Sequence, residues 1–519
     1  MENQHEFPEQ WLSHIQTQID DSDKRLNNEM ESNMAVNIQK STQFSWSLLD
    51  LQQAVEGEFI GALDHDQRVC FNSVSTDTRT LKPGALYIAI KGEQFDGHDF
   101  IVQAIQQGAV AVLVSEVVKS VVPAILVDNT TRALGLFAKW HRQQMPVKKL
   151  IAVTGSNGKT TTKSLLLNIF QNVGNTLATE GNLNNNLGVP RTLLNLRPEH
   201  EFAIIEMGAN HRHEISYLTQ LAAPDIALIT NAGDAHLEGF GSLQGVVEAK
   251  GEIFQGLNQN AIKKEGIAVI NVDSNGYLDW VQMIKTLGVV KVVRFGASDK
   301  ADIIISNLKP TGHGIAFHLT IYGVSHKVTM PVLGAHNAHN AAACVAISLS
   351  AGLSWSEILP GLNTFTGVAG RLQPQAISTG WLIDDSYNAN PSSVKAGIDT
   401  LVNLAGQSIL CLGVMAELGD GCEKAHQEVA RYAKQQGVNY LFVYGKATQQ
   451  MPDEFGAQAF YFDSHSQLAS KVAQLLEEAT LQKNVAVNLL VKGSRSASME
   501  KVSQLLLSQF ATTSQNMPN

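Results

Sequence analysis

The sequence predicts an α/β protein of three domains behind a polar N-terminal extension. Three observations carry that prediction. The chain has 519 residues, and at about 150 residues per domain this length divides into about three domains. Continuous Val/Ile/Leu runs recur along it with helical patterns between them, as in parallel strands buried on both faces. One such run ends in a Gly-rich turn that opens a helix, IAVTGSNGKTTTK from Ile151 to Lys163.

Composition narrows the class. Apolar residues make up 44% and charged residues 17%, so the bulk of the chain has the makings of a core. The net charge of −10 points away from a nucleic-acid partner bound through the whole surface. Cys70, Cys344, Cys411 and Cys422 are too few for a disulfide framework, and none form a Cys-x-x-Cys pair. No apolar stretch approaches the ~20 residues of a membrane span, and the N-terminus lacks the basic-then-apolar order of a signal peptide. These features predict a cytoplasmic, multidomain enzyme with no membrane span.

In chain order, residues 1–45 are rich in Gln, Asn, Glu, Asp and Ser and read as a mobile extension, with one short helical pattern from Trp11 to Ile19. A helix is expected in SWSLLDLQQAV, which starts the first domain, 46–135. That domain is a small α/β block with strands in ALYIAI, AVAVLVS and AILV. The central domain, 136–365, has strands in KLIAVTG, FAIIEMG, DIALITNAG and IAVINVD. Between about 302 and 333 the pattern changes to short strands separated by Gly, an antiparallel addition, before the helix HNAHNAAACVAISLSAG. The third domain, 366–519, repeats α/β spacing with SILCLG, NYLFVYG and VNLLVKGS and reads as a second doubly wound unit.

The turn at 155–161 has the chemistry of a phosphate cradle. Gly155 and Gly158 let backbone N–H groups approach a polyphosphate with no Cβ in the way, and the helix behind them adds its N-terminal dipole. Lys159 would reach the β- and γ-phosphates of a nucleotide, and the Thr160 hydroxyl would bind Mg²⁺. The candidate nucleotide-binding residues of the loop are Gly155, Ser156, Asn157, Gly158, Lys159, Thr160 and Thr161. Such a loop alone does not name a reaction.

Further polar residues follow strand ends, where open α/β sheets place their ligands. Glu206 suits a Mg²⁺ ligand; the alternative is a carboxylate paired with a cation such as Arg212. His236, Lys250 and Glu252 lie beyond the next strand; by itself His236 reads as a capping or packing histidine and Lys250 as a solvated helix lysine.

Taken together, TGSNGKTTTK, EMGANHRHEI, NAGDAHLEGFGS, AKGEIF, GAHNAHNAAA, AGRLQP and DDSYNANPSS resemble the ATP-dependent Mur ligases of cell-wall synthesis, over nearly the whole chain from Trp46. The resemblance implies a three-domain architecture: a small N-terminal α/β domain that binds the UDP-linked substrate, a central P-loop parallel-sheet ATPase domain, and a C-terminal Rossmann-like domain. DDSYNANP with TEGNLNNNLGVP resembles the member that adds D-alanyl-D-alanine to UDP-N-acetylmuramoyl-tripeptide through an acyl phosphate. The Asp-Asn-Pro-Arg motif of diamino-acid-adding members is absent.

The resemblance implies roles for individual residues. Thr160, Glu206, His236 and Lys250 stand near the metals, with Lys250 carbamylated. Lys159, Lys250, His236 and Glu206 are the expected catalytic set. Asn337 and Asn340 match residues near the adenine, and Arg371 and Asp385 match nucleotide contacts. Ser75, Thr76, Asp77 and Arg79 match the uridine-nucleotide segment; from the residues alone they are equally a polar turn before a strand. Thr179, Asn182 and Asn184 match contacts to the sugar-peptide, and Tyr387, Asn388 and Asn390 lie near the incoming dipeptide. A monomer is the expected state, which the sequence itself does not fix. One position departs from the family pattern: GVMAELG places Val414 where an aspartate is usual.

Overall fold

The computed structural model describes residues 44–60, 69–233, 237–257, 266–311, 314–481 and 486–511. The expected extension, with its short helical pattern, lies outside the described residues up to position 43. The first described element corrects one expectation. Trp46 and Ser47 pair as a strand with Cys70 and Phe71, and the helix starts only at α1, Leu48–Val55. The cause is local: Ser47 caps the helix by accepting from the Asp50 backbone N–H, and the Asp50 carboxylate accepts from Ser47 in return.

The first domain is a five-stranded sheet made of β1 (Glu58–Ile60), β2 (Ser73–Ser75), β3 (Ala85–Ile88), β4 (Ala109–Val114) and β5 (Ala124–Leu126), in the order β1-β5-β4-β3-β2. Only β1 runs antiparallel to its neighbour. Helix α2, Thr130–Gln144, follows and runs through the expected boundary at 135/136. It does so because it serves both sides. Leu134, Phe137 and Ala138 belong to one core with Trp46 and Leu48 of the first domain and with Leu150 and Ala203 of the second.

The central sheet has nine strands. The first six are β6 (Lys149–Thr154), β7 (Thr176–Ala178), β8 (Phe202–Glu206), β9 (Ile226–Ile229), β10 (Ile267–Asn271) and β11 (Lys291–Gly296). The antiparallel addition is β12 (Ile303–Thr311), β13 (Gly314–Ile321) and β14 (Val324–Met330). Their order is β14-β13-β12-β11-β10-β9-β6-β8-β7, so the addition extends the same sheet. Alternate residues of each inner strand feed opposite cores. Leu150, Ala152, Ala203, Ile205, Ala227 and Ile229 face one side, while Ile151, Val153, Ile204, Ile226 and Leu228 face the other. That two-sided burial is why these strands read as unbroken apolar runs. The second face is covered by α3 (Lys159–Phe170) and by the Ala-rich α6 (His336–Ser350). Between them in sequence lie α4 (Glu214–Ala222) and α5 (Leu243–Gly251).

The third sheet comprises β15 (Gln373–Ile377), β16 (Gly380–Asp385), β17 (Gln407–Gly413), β18 (Tyr440–Tyr444), β19 (Ala459–Phe462) and β20 (Val487–Lys492), ordered β15-β16-β20-β17-β18-β19. All are parallel to their neighbours except the edge strand β15. Helices α7 (Pro391–Val402) and α8 (Cys422–Gln435) lie on one side of it. Among the described residues no helix is long and apolar enough to cross a membrane.

Candidate active site

Three strands of the central sheet end together. β6 lies between β8 and β9, with Ile151 paired to both Ile204 and Ile226. The chain leaves β6 for one side of the sheet and later returns on the other, so a crevice opens beyond the carboxyl end of β6. Thr154, Glu206 and Thr230 stand at or just past these ends.

The loop that follows β6 is held by its neighbours. The Thr230 hydroxyl and the Asn231 side-chain amide both donate to the Asn157 carbonyl, at 2.6 and 3.0 Å, and the Asn157 N–H donates to Asn231 Oδ1 at 3.0 Å. Two positions demand glycine. Gly155 has φ +149°, and a Cβ there would lie 1.9 Å from Thr230 Oγ1; Gly158 has φ +82°, and its Cβ would lie 2.6 Å from Asn340 Oδ1. The helix α3 starts on Gly158 with no side-chain cap, which leaves its first N–H groups turned to the crevice. Lys159 Nζ donates to the Gly155 carbonyl at 2.7 Å. Burial lowers its pKa, opposed by the Glu206 carboxylate.

Glu206 is buried at 1% exposure. Its Oε1 accepts from Thr160 Oγ1 at 3.2 Å and from Asn184 Nδ2 at 2.9 Å, while its Oε2 has no partner. Arg212 pairs instead with Glu248 at 2.9 Å, which leaves Glu206 without the cation considered for it. Lys250 is equally buried, at 1%, and its Nζ also lacks a hydrogen-bond partner. The ammonium lies 5.1 Å from the Phe240 ring centre, and burial, aided by the charge of Lys159, lowers its pKa to about 7. A neutral amine is therefore accessible near neutral pH. Among the described residues no cluster of three or more His, Cys, Asp or Glu could hold a metal ion. A divalent cation here would need oxygens from Glu206, Thr160, a phosphate and a modified lysine. The orphaned Glu206 oxygen and the unpartnered Lys250 amine fit that requirement. His236 lies outside the described residues.

The third domain closes over this edge. Arg371 Nη2 donates to Thr160 Oγ1 at 2.9 Å, and its guanidinium stacks 4.2 Å from the Tyr387 ring centre. The result is a cleft of about 920 Å³ lined by residues of the glycine-rich loop, by Glu206 and by residues of the third domain. Of the expected residues, Ser156, Asn157, Gly158, Lys159, Thr160, Thr161, Asn182, Asn184 and Glu206 line it from the central domain. Asn337 and Asn340 line it from α6, and Arg371, Asp385, Tyr387, Asn388 and Asn390 from the third domain.

Other expected residues sit elsewhere. Gly155, Thr179 and Lys250 are not among the residues that line the cleft. Thr179 is buried at 2%, where its hydroxyl accepts from the Glu206 N–H and its carbonyl from Lys163. Ser75, Thr76, Asp77 and Arg79 stand apart on the first domain; Asp77 accepts from the Arg79 backbone and pairs with its guanidinium at 2.6 Å. Asn337 and Asn340 bond each other at 2.9 Å, so they also brace the start of α6.

Sequence reading missed two supports. Lys492, at the end of β20, is buried and pairs with Asp385 Oδ2 at 2.6 Å, while Asp385 Oδ1 accepts from the Leu372 N–H at 3.2 Å. A lysine ending an apolar strand was the available signal. Asn231 holds the loop after β6; it opens the motif NAGDAHLEGFGS, which carried the family resemblance but not this bracing role. Val414 lies outside the cleft wall and packs against Gly445, whose added Cβ would sit 2.6 Å from Val414 Cγ2.

Known proteins place the chain. Residues 153–348 match the Mur ligase middle domain, residues 370–495 the Mur ligase, glutamate ligase domain, and residues 71–150 the Mur ligase family, catalytic domain. The chain is 42% identical over 464 residues to the UDP-N-acetylmuramoyl-tripeptide–D-alanyl-D-alanine ligase of Escherichia coli strain K12, covering 89% of this chain and 98% of that one. It is 38% identical over 462 residues to the protein of the same name from Haemophilus influenzae strain Rd, covering 88% and 97%. A crystal structure of MurF from Acinetobacter baumannii matches with a TM-score of 0.83 at 31% identity, over 90% of this chain and 100% of that one.

Proposed function

The chain belongs to the Mur ligase family, and on that premise we propose that it joins D-alanyl-D-alanine to UDP-N-acetylmuramoyl-tripeptide in peptidoglycan precursor synthesis. It is an ATP-dependent, ADP-forming ligase. The observation that carries the reading is convergence: a phosphate loop, a strand-end carboxylate and third-domain residues far away in sequence share one cleft.

The reaction follows from that layout. The γ-phosphoryl group of ATP passes to the terminal carboxylate of the tripeptide, giving an acyl phosphate and ADP. The amine of the dipeptide attacks the acyl carbon, and the tetrahedral adduct collapses to amide and phosphate. The loop N–H groups and Lys159 hold the phosphates and offset their charge, and no protein nucleophile is required. To reach the phosphates, Lys159 exchanges the Gly155 carbonyl for ligand oxygens. Arg371 and Asp385 flank the nucleotide from the third domain, with Asn337 and Asn340 beside the base. Tyr387 and Asn388 face the dipeptide, Asn182 and Asn184 the sugar-peptide, and Ser75, Thr76, Asp77 and Arg79 the uridine end. Thr160, Glu206 and a carbamylated Lys250, with His236, would hold Mg²⁺, which supplies charge neutralisation at the transferring phosphoryl group. The neutral Lys250 amine would take up CO₂ and lose a proton, turning a buried cation into an oxygen donor.

Among the described residues the four cysteines form no disulfide, as suits a cytoplasmic protein.

The deciding experiment measures phosphate release from ATP with UDP-N-acetylmuramoyl-tripeptide, with and without D-alanyl-D-alanine. Release that depends on the dipeptide is expected; turnover indifferent to it overturns the reading.

A further inference from the structure

Asn157 has a divided role. Its backbone is consumed in holding the phosphate loop, through Thr230 and Asn231. Its side chain turns the other way, to the third domain, and enters a closed ring of three side chains. Asn157 Nδ2 donates to Ser392 Oγ at 3.2 Å, Ser392 Oγ donates to Asn390 Oδ1 at 2.9 Å, and Asn390 Nδ2 donates back to Asn157 Oδ1 at 2.8 Å. Each member gives one hydrogen bond and takes one, so the ring fixes the orientation of both amides. Bonds in such a chain polarise one another and strengthen together.

The ring spans more than 230 positions of sequence and exists only when the third domain sits on the central one. It is also rooted at both ends. Asn390 Oδ1 caps α7 by accepting from the Ser393 N–H at 2.8 Å, and Pro391 follows at the first helical position. Asn157 is rooted in the loop that cradles phosphate. Tyr387 and Asn388, just before the cap, line the same cleft. A shift of the phosphate loop is thereby transmitted to the start of α7, and from there to the residues that face the second substrate.

We propose that Asn390 and Ser392 are positioning residues which, by closing a hydrogen-bonded ring with Asn157, register the third domain against the phosphate loop and so couple nucleotide binding to placement of the dipeptide. The proposal rests on the ligase reading above. It gives Asn390 a joint's role in place of a direct dipeptide contact, because its Oδ1 accepts from both Ser392 and the Ser393 N–H and its Nδ2 donates to Asn157.

The test is a double-mutant cycle on Asn390→Ser, Ser392→Ala and Asn157→Ala. Serine at 390 keeps the helix cap and loses only the reach to Asn157. Each third-domain variant is expected to lower kcat/KM for D-alanyl-D-alanine about three- to tenfold, as for one neutral hydrogen bond. The loss should fall mainly in KM for the dipeptide, with the unfolding midpoint and the Kd for a non-hydrolysable ATP analogue unchanged. In the Asn157→Ala background the same substitutions should cost nothing further. Undiminished losses in that background, or wild-type kinetics in the single variants, overturn the proposal. If Asn390→Ser fails to fold, Ser392→Ala completes the cycle alone. Small-angle scattering of the nucleotide-bound chain gives a readout independent of turnover: the Asn390→Ser/Ser392→Ala variant should be more expanded than wild type, and equal dimensions overturn the joint. A wild-type chain that compacts normally but lacks dipeptide-dependent turnover would sink the ligase reading and leave the joint standing.

Discussion

Single residues carry the chemistry through what surrounds them. Lys159 lies in a glycine-flanked turn that brings its ammonium to the cleft, so Lys159→Ala should lower turnover about a hundredfold or more, measured as ATP-dependent phosphate release; a near-normal rate would remove the phosphate-loop assignment. Lys250 is the opposite case: a lysine buried at 1% with no hydrogen-bond partner. Lys250→Ala should abolish activity, and short carboxylic acids should restore part of it by returning an oxygen ligand to the vacated space. Full activity of the variant without any addition would show that no carbamate is needed. Lys159, Thr160 and Glu206 were legible because each sits at a strand end or helix start that local sequence marks. Asn231 and Lys492 were not, because their partners, Asn157 and Asp385, lie 74 and 107 positions away.

Elements set the tolerances that those residues need. The turn between β6 and α3 combines a left-handed backbone at Gly158 with a near contact to Asn340 on α6. Gly158→Ala adds backbone strain of about 1–2 kcal/mol and also pushes on Asn340. Nucleotide affinity should therefore fall at least tenfold by titration calorimetry, with the rest of the fold intact. In the third domain, β16 and β20 are tied at their ends by the buried pair of Asp385 and Lys492. Lys492→Met should destabilise that domain by about 3–5 kcal/mol, because it leaves a buried carboxylate unpaired. Adding Asp385→Asn should recover part of the loss, and denaturant midpoints of the two variants decide it. The strands were readable as apolar runs because both faces of each sheet are covered. β11 and β7 were missed: β11 carries the charged Lys291 and Arg294 within KVVRFG, and β7 has only three residues.

At the scale of the molecule, the domains are joined in different ways. The first and second share one core through α2, with His141 at its centre. Trp46 Nε1 donates to His141 Nδ1 at 2.9 Å, and His141 Nε2 donates to the Leu196 carbonyl at 3.0 Å. This arrangement needs a neutral ring, and burial lowers the His141 pKa from 6.5 to about 4. The folded pKa lies below the unfolded one, so the unfolded chain binds the proton first. His141 costs the fold nothing above about pH 6.5, and stability falls as pH drops toward about 4, by about 2 kcal/mol at pH 5. Denaturant unfolding at pH 7 and pH 5 should show that loss, and His141→Gln should flatten it; an equal slope in the variant would assign the acid sensitivity elsewhere. The third domain, by contrast, meets the glycine-rich loop region through polar side chains such as Arg371, Asn390 and Ser392. By itself the sequence determined the three-domain α/β class and the glycine-rich loop, because apolar periodicity and the turn chemistry of Gly155 and Gly158 are local properties of the chain, while the family was legible only as a resemblance carried by several motifs together. Only the tertiary structure decided that Asp385 is claimed by Lys492, that Thr179 is a buried brace, and that Asn390 reaches Asn157. Those outcomes depend on which distant side chain fills the remaining hydrogen-bonding valence, and that is fixed when the domains pack.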